Sequence, residues 1–142
     1  MEIQEIGVVS VIGLIGSHIT KLFGGWSVDL QTLLFFMAID FIMGLVVAAF
    51  FQNSTKSETG ALSSTAGWKG LCKKGITFLL VLVAHRLDMT LGLDYIQTAT
   101  VIAFIVVELI SIIENAGLMG VPIPKVITSV IDVLKKKAGE QE

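Results

Sequence analysis

The chain has one cysteine, two histidines and only 15% charged residues among its 142 positions. Because Cys72 is the only cysteine, no internal disulfide and no metal site built on thiolates can form. His18 and His85 lie far apart, without acidic residues at ligand spacing, so a zinc or heme site is not expected. Neither a nucleophile with its base nor a phosphate-binding glycine loop is recognisable. The sequence therefore predicts a protein that is not an enzyme and has no cofactor.

Apolar residues dominate the composition. They make up 54% of the chain, and the mean hydropathy is +0.83, well above the usual range of a soluble domain. Four apolar stretches have about the length of a bilayer-spanning helix: residues 6–23, 30–51, 76–93 and 96–113. Their residues do not alternate with a period of two, which favours helices over a β-barrel. The sequence thus predicts an all-α, multi-pass membrane bundle.

The first stretch is the most ambiguous of the four. Serines, a histidine, a threonine and a lysine dilute residues 6–23, so this segment either crosses the membrane or lies in its interface as an amphipathic helix. The prediction is four transmembrane helices, or three if this segment stays in the interface. The N-terminus lacks a basic segment and a small-residue cleavage site, so we expect the stretch to be retained and not removed as a signal peptide.

Basic residues are distributed asymmetrically between the connections. Eight of the ten follow the second or the fourth stretch, whereas the joints at residues 24–29 and 94–95 carry neither lysine nor arginine. By the positive-inside rule, the loop at residues 52–75 and the segment at 119–142 are predicted to be cytoplasmic, as is the N-terminus if all four stretches cross. The eight residues are Lys56, Lys69, Lys73, Lys74, Lys125, Lys135, Lys136 and Lys137.

The domain organisation follows from this topology. Residues 1–118 are predicted to form a transmembrane helical domain, and residues 119–142 a cytoplasmic basic tail. Apolar residues of the tail repeat at helical spacing opposite charged ones. We expect a short amphipathic helix there, lying on the inner leaflet or against a neighbouring subunit. In the loop, the residues from Ser63 onward are expected to cap a helix that leads through Trp68 into the third stretch.

Asp40 is the most informative single residue, because an ionisable group in the middle of a membrane helix is expensive and needs a partner or water. Gly44 and Ala48 follow on the same helix face and allow another helix to approach closely beside the carboxylate. Two main interpretations are open: Asp40 governs a helix contact that changes during activity, or it makes a permanent buried hydrogen bond that locks the monomer. A proton or ion site is a third.

A polar stripe runs along the fourth stretch. Its residues fall within about 80° of one another on a helix, and they either line an aqueous passage in an oligomer or pack against polar groups in a closed bundle. In the third stretch, His85 and Asp88 are spaced i, i+3, and we expect a structural hydrogen-bonded pair. The stripe consists of Gln97, Thr100, Glu108, Ser111 and Asn115, with Glu114 slightly to one side.

Several motifs of this sequence resemble those of the phage-lysis and toxin-secretion holins of Gram-positive bacteria. The most specific is at the end of the fourth stretch, where ELISIIEN at 108–115 is followed by GVPIP at 120–124. Individually weaker ones are DFIMG at 40–44, SSTAGWKG at 63–70 and HRLD at 85–88. The likeness covers about two thirds of the chain, and the first forty residues add little beyond their apolarity.

This resemblance implies a protein without catalysis or cofactor that accumulates in the host cytoplasmic membrane, assembles into a homo-oligomer and forms lesions. An endolysin or a toxin would leave through these lesions without necessarily touching the protein, and lysis would follow. Membrane lipids and further copies of the chain are the expected partners, whereas nucleic acid is not.

The physical hypothesis for this activity concerns Asp40 and Glu108. We expect contacts between copies of the chain to shield both carboxylates at rest, and assembly to turn them toward water. An alternative function is a small proton- or cation-coupled transporter or channel subunit, in which the two carboxylates form a relay. A third is a membrane anchor that acts through its amphipathic tail.

Overall fold

The computed structural model describes residues 2–139, and every regular element in this range is a helix. The predicted all-α class is therefore confirmed. Of the predicted tail, residues 140–142 lie outside the described range. The elements are α1 (Ile3–Leu22), α2 (Val28–Val46) with a π-helical continuation (Val47–Phe51), α3 (Ser64–Leu91), α4 (Ile96–Leu118) and α5 (Lys125–Gly139).

Serine caps define where two of the helices begin. Ser27 precedes α2, and its Oγ accepts a hydrogen bond from the backbone N–H of Leu30 at 3.1 Å. Ser63 precedes α3 and accepts one from the N–H of Ala66 at 3.3 Å. The cap predicted before the third apolar stretch is thus confirmed. Because α3 is one continuous helix, the predicted loop at residues 52–75 is helical from its middle onward.

Helices α2 and α4 run in the same direction, and α3 runs in reverse. At the start of both, Gln97 of α4 donates from Nε2 to the carbonyl oxygen of Phe23, which lies shortly before α2, at 2.9 Å. At their far ends, Asn53 donates from Nδ2 to the carbonyl oxygen of Leu118 at 2.9 Å. Since parallel helices need a returning segment between them, α3 supplies the reverse passage.

The apolar core lies where α2, α3 and α4 meet, in the half of the bundle nearest the start of α2. There the rings of Phe23 and Phe78 meet edge to face, with centroids 6.0 Å apart. The ion-paired residues described below begin just beyond this core. Its buried members are Phe23, Leu30, Leu33, Met37, Val81, Val101 and Ile105.

Three helices are long and apolar enough to cross a membrane: α1, α2 with its π-helical continuation, and α4. These spans make the chain a multi-pass membrane protein. Helix α3 is not among them, because lysines occupy its first half and Arg86 and Asp88 its last turns. If the parallel helices α2 and α4 both cross, the chain must return through α3. A crossing by α3, and with it the four-span topology, stays a prediction.

Helix α5 folds back along α4 of the same chain. Pro122 and Pro124 separate the two helices, and Ala138 at the far end of α5 lies beside Tyr95, which precedes α4. Leu134 packs against the core. The predicted helix is present and packs along α4 of its own subunit, while Val126, Ile127 and Val130 of its apolar face are exposed. Contact of that face with the inner leaflet or a neighbour stays a prediction. The cytoplasmic location of the tail stays a prediction.

Helix α1 projects from the bundle. None of its residues is buried, and Phe23, directly after it, is the first residue of the core. Gly24 follows with φ +79°, and a Cβ at this position would collide with the imidazole of His85. Both the backbone conformation and the close approach therefore require glycine. The result is a helix that presents its whole apolar surface outward.

Candidate functional site

An ion-paired cluster lies near the middle of the bundle. Lys74 Nζ in α3 is 2.7 Å from Asp40 Oδ2 in α2 and 2.6 Å from Glu108 Oε2 in α4. The side chains of Lys74, Asp40 and Glu108 are only 15%, 5% and 10% exposed. Charge-assisted hydrogen bonds of this kind are among the strongest that side chains make. One ammonium group thus joins three helices, and we call Asp40, Lys74 and Glu108 the ion triad.

Asn115 completes the hydrogen bonding of Asp40. Its Nδ2 donates to Oδ1 of Asp40 at 2.8 Å and to the backbone carbonyl oxygen of the same residue at 3.3 Å. Asn115 is buried and lies about two helical turns after Glu108 on the same face of α4. Both carboxylate oxygens of Asp40 therefore have a donor, as a buried carboxylate requires.

The helix directions explain why these charges meet at one level. Asp40 and Glu108 each stand near the middle of a helix, and the two helices are parallel, so their midpoints lie side by side. Lys74 stands at the start of the apolar part of α3, which passes those midpoints in the opposite direction. The long aliphatic stem of a lysine can cross apolar surface, and the ammonium group of Lys74 reaches both carboxylates.

The small-residue face beside Asp40 is occupied by α4 of the same chain. A Cβ built on Gly44 would lie 4.0 Å from Asn115 Nδ2 and 3.8 Å from Lys56 Nζ. Ala48, one turn later, is buried. The close helix approach that Gly44 and Ala48 permit is therefore made within one subunit in this structure.

A second polar cluster lies at the opposite end of the bundle. Asp88 accepts hydrogen bonds from the backbone N–H groups of Ile96 at 2.9 Å and Gln97 at 2.8 Å. His85 Nδ1 is 3.1 Å from Gln97 Oε1, and the Gln97 amide also holds the carbonyl of Phe23. The predicted His85–Asp88 pair is wrong. Both side chains turn to α4 instead. Asp88 does so because the free N–H groups at a helix N-terminus attract a carboxylate, and His85 because its ring nitrogen meets the side-chain oxygen of Gln97.

The polar stripe of α4 is thus divided between two clusters. Glu108 is a member of the ion triad and Asn115 donates to Asp40 of the triad, whereas Gln97 belongs to the cluster at the opposite end. Within one chain, these three residues pack against other polar groups, which is one of the two interpretations that the sequence leaves open. Whether the same face lines water in an oligomer stays a prediction.

Among the remaining stripe residues, Ser111 makes a further side-chain hydrogen bond with Asp40. Thr100 donates from Oγ1 to the carbonyl oxygen of Ile96 on its own helix at 2.7 Å. Ser111 is half-buried and lines, together with the ion triad, a cleft of ≈ 570 Å³. Glu114 is exposed. The structure therefore brings Asp40, Glu108 and Asn115 together and leaves Glu114 outside.

Lys74 is the site residue that the sequence analysis does not single out. It appears there only as one of eight basic residues that indicate the cytoplasmic side. A signal does exist, since Asp40 and Glu108 both need a counter-charge and Lys74 directly precedes an apolar run. Its presence also corrects the expectation that other copies shield the carboxylates, because Lys74 and Asn115 of the same chain do so.

The chemistry available to the ion triad is electrostatic. In the part of the chain that the structure describes, no three His, Cys, Asp or Glu side chains lie close enough to hold a metal ion. The triad combines two carboxylates with one ammonium group, all largely removed from water. Such a cluster can hold three helices together, and it presents fixed charge to water if the helices separate.

Comparison with known proteins relates the chain to a group of phage proteins. A family model described as the bacteriophage holin family matches residues 17–136, which include the ion triad and both polar clusters. A probable holin of Bacillus phage phi105 is 36% identical over 107 residues, covering 75% of this chain and 73% of that protein.

Bacterial proteins are similar as well. An uncharacterized protein of Halalkalibacterium halodurans is 37% identical over 128 residues, covering 86% of this chain and 89% of that protein. An uncharacterized protein of Listeria innocua is 32% identical over 135 residues, covering 94% and 90%. No solved structure gives a significant match. The similarity therefore extends over nearly the whole chain.

Proposed function

This chain belongs to the bacteriophage holin family, and from that membership we propose that it oligomerises in the cytoplasmic membrane of a host bacterium and opens lesions there. An endolysin or a toxin passes through these lesions, and the cell lyses. The protein contributes the passage and performs no catalysis. The ion triad is the observation that carries this proposal.

The ion triad is a costly feature in a bundle surrounded by lipid. Taking ions out of water costs several kcal/mol each, and apolar side chains of similar volume are often neutral or stabilising replacements. Since apolar residues could stabilise the resting bundle equally well, we expect the ionised groups to stabilise a second conformation of the protein, the open lesion. In the proposed lesion, several copies arrange these groups around water, and hydration replaces the contacts with Lys74.

The resting state of this proposal is a single subunit. Lys74 and Asn115 already satisfy the carboxylates within one chain, so subunits can accumulate without presenting charge to lipid. Helix α1, which has no buried residue, offers apolar surface to a second copy. Clustering then favours the open arrangement, because only several copies together can enclose a water-filled lumen.

The experiment that tests this proposal follows membrane potential and the escape of a cytoplasmic reporter enzyme after induced expression. Wild type is expected to lose both abruptly and together. Asp40→Leu and Glu108→Leu are expected to insert into the membrane but to shift or abolish lysis. Each variant has one charged group less to be hydrated in the lesion, so the lesion is less favoured. Glu114→Leu, which removes an exposed carboxylate from the same helix, should keep the wild-type time. Wild-type timing in all three variants would contradict the proposal.

Cys72 allows the orientation and the lesion to be tested together. It is the only cysteine and is exposed in the basic half of α3, which the proposal places on the cytoplasmic side. A protein-sized maleimide polymer added to intact cells should leave Cys72 unmodified until the potential collapses, and should modify it from then on. Labelling of intact cells before collapse would exclude this orientation.

The rival function is a small proton- or cation-coupled transporter. It draws support from the continuous set of ionisable groups formed by Asp40, Lys74 and Glu108. A relay through these groups would move one small solute and leave the cells viable. In that case neither the reporter enzyme nor the polymer would cross, while proton or cation flux would still depend on Glu108.

A further inference from the structure

A cleft on the basic side of the bundle leads down to the ion triad. It has a volume of ≈ 570 Å³ and lies between the loop after α2, the first half of α3 and the middle of α4. This is within the usual size range of small-molecule sites. Four lysines line it, Lys56, Lys69, Lys73 and Lys74, and Phe104 and Val107 form an apolar wall.

The cleft carries an excess of positive charge. Lys74 is engaged by Asp40 and Glu108, the two carboxylates in the lining. Lys56, Lys69 and Lys73 are exposed, and within residues 2–139 none of the three forms a salt bridge, although Lys56 lies near enough to Asp40 to attract its carboxylate. Four ammonium groups therefore face two carboxylates. An anion in the cleft would balance the surplus and would meet several donors at once.

The surroundings of the lysines indicate an anion with an apolar part. Trp68, in the same turn of α3 as Lys69, is 67% exposed, as expected for a tryptophan at headgroup depth. On the other side, Val107 is exposed near the middle of α4 next to the half-buried Phe104, and the middle of a crossing helix lies in the apolar membrane interior. The cleft thus changes from basic to apolar along its length. A free phosphate ion would use only the first half.

From this arrangement we infer that the cleft binds an anionic phospholipid, with the phosphodiester between Lys56, Lys69 and Lys73 and an acyl chain along Phe104 and Val107. Basic pockets between membrane helices on the cytoplasmic side bind lipid headgroups of this type. The inference requires that the basic end of α3 lies at the membrane surface. It does not depend on whether lesions open.

Gly70 makes the cleft accessible. It lines the cleft in α3, and a Cβ at this position would meet nothing within 4 Å. A leucine there would fill the space between the lysines without changing any charge, and it would also favour the helix. Gly75 is equally free of neighbours but does not line the cleft, so Gly75→Leu is the matched control.

The test measures lipid binding to the purified full chain in mild detergent by native mass spectrometry. Phosphatidylglycerol and phosphatidylcholine with identical acyl chains are titrated separately, and inorganic phosphate is titrated alone. We expect phosphatidylglycerol to bind at least tenfold more tightly than phosphatidylcholine, and phosphate alone not to bind. Equal affinity for the two lipids would overturn the inference, and phosphate binding as tight as that of the lipid would assign the cleft to a free anion instead.

Variants identify the cleft as the place of binding. Lys69→Gln combined with Lys73→Gln should weaken phosphatidylglycerol binding roughly 30-fold, at about five- to sixfold per lysine. Gly70→Leu should weaken it as well, with all lysines present. Lys135→Gln with Lys137→Gln removes the same charge from α5 and should change affinity less than twofold, as should Gly75→Leu. If the two substitutions in α5 weaken phosphatidylglycerol binding as much as the two in the cleft, the lipid is attracted nonspecifically by positive charge, and the inference is overturned.

Discussion

Helices α1 and α4 both have the length and apolarity to cross a membrane, yet their surroundings differ completely. No residue of α1 is buried, whereas eight residues of α4 are, among them Glu108 and Asn115. Helix α4 contacts α2, α3 and α5, while α1 is connected to the bundle mainly through Phe23. Length and apolar surface alone therefore do not place a helix in the bundle.

Polar groups make the difference between the two helices. Lipid competes for apolar side chains as well as another helix does, so packing in a membrane depends on close fit and on polar contacts. Helix α4 has both, since the small residues of α2 let it approach and its polar stripe finds partners at two levels. In α1, Ser10 and Thr20 donate hydrogen bonds to the carbonyl oxygens of Ile6 and Gly16 on the same helix. Helix α1 thus remains available for contacts outside its own bundle.

The strongest way to break this comparison is to remove the cation that holds α4 to α2 and α3. Lys74→Met leaves two buried carboxylates without a counter-charge and should lower the free energy of unfolding by roughly 3–5 kcal/mol. Reversible unfolding in mixed micelles measures it. Lys73→Met, at an exposed neighbour, should cost less than about 0.5 kcal/mol. Adding Asp40→Asn and Glu108→Gln to Lys74→Met should restore most of the loss, and equal effects of the two lysine variants would refute the role of Lys74.

An intermediate effect is expected at the other end of α4. Asp88→Ala removes the acceptor of two backbone N–H groups and should destabilise the bundle by about 1–2 kcal/mol, as the loss of a helix cap does. Asp94→Ala, an exposed carboxylate in the same connection, is the control and should be nearly neutral. Hydrogen exchange of the Ile96 and Gln97 amides locates the change. If the protection of these two amides is unchanged, Asp88 does not cap the start of α4.

A glycine substitution in α2 tests how closely α4 packs on it, and the same substitution in α1 provides the comparison with an unpacked helix. Gly44→Leu should cost about 1–3 kcal/mol, because the added side chain must displace Asn115 or Lys56. The change should appear as faster hydrogen exchange in the second half of α4. Gly44→Ala is the control and should be tolerated, since its Cβ makes only ordinary contacts. If leucine is tolerated as well as alanine, α4 does not pack closely on this face.

The smallest effect is expected in α1. A Cβ on Gly13 would meet nothing within 4 Å, so Gly13→Leu should change the stability of the α2–α4 bundle by less than about 0.5 kcal/mol. The amides of α2 and α4 should keep their exchange rates in detergent at high dilution of the protein, a condition that disfavours contacts between copies. A clear loss of protection there would show that α1 packs on the bundle after all.

Parts of the fold could be predicted because they depend on local patterns. Long apolar runs, the Ser63 cap and the glycine-proline segment after α4 each act over a few residues, and the helices are present where these signals lie. The partners of Asp88 and the place of α5 depend on which helices run in parallel. The sequence contains no local signal for that, because lipid-facing and helix-facing apolar residues look alike.

The sequence by itself determined that this chain is helical, belongs to a membrane and carries carboxylates where water is scarce. Burying a charge is so costly that Asp40 and Glu108 had to have partners, whatever the fold. Only the tertiary structure decided that the partner is Lys74 of the same chain. The reason is geometric, because a long side chain reaches a buried acid only where helix direction and register bring its backbone to the same depth.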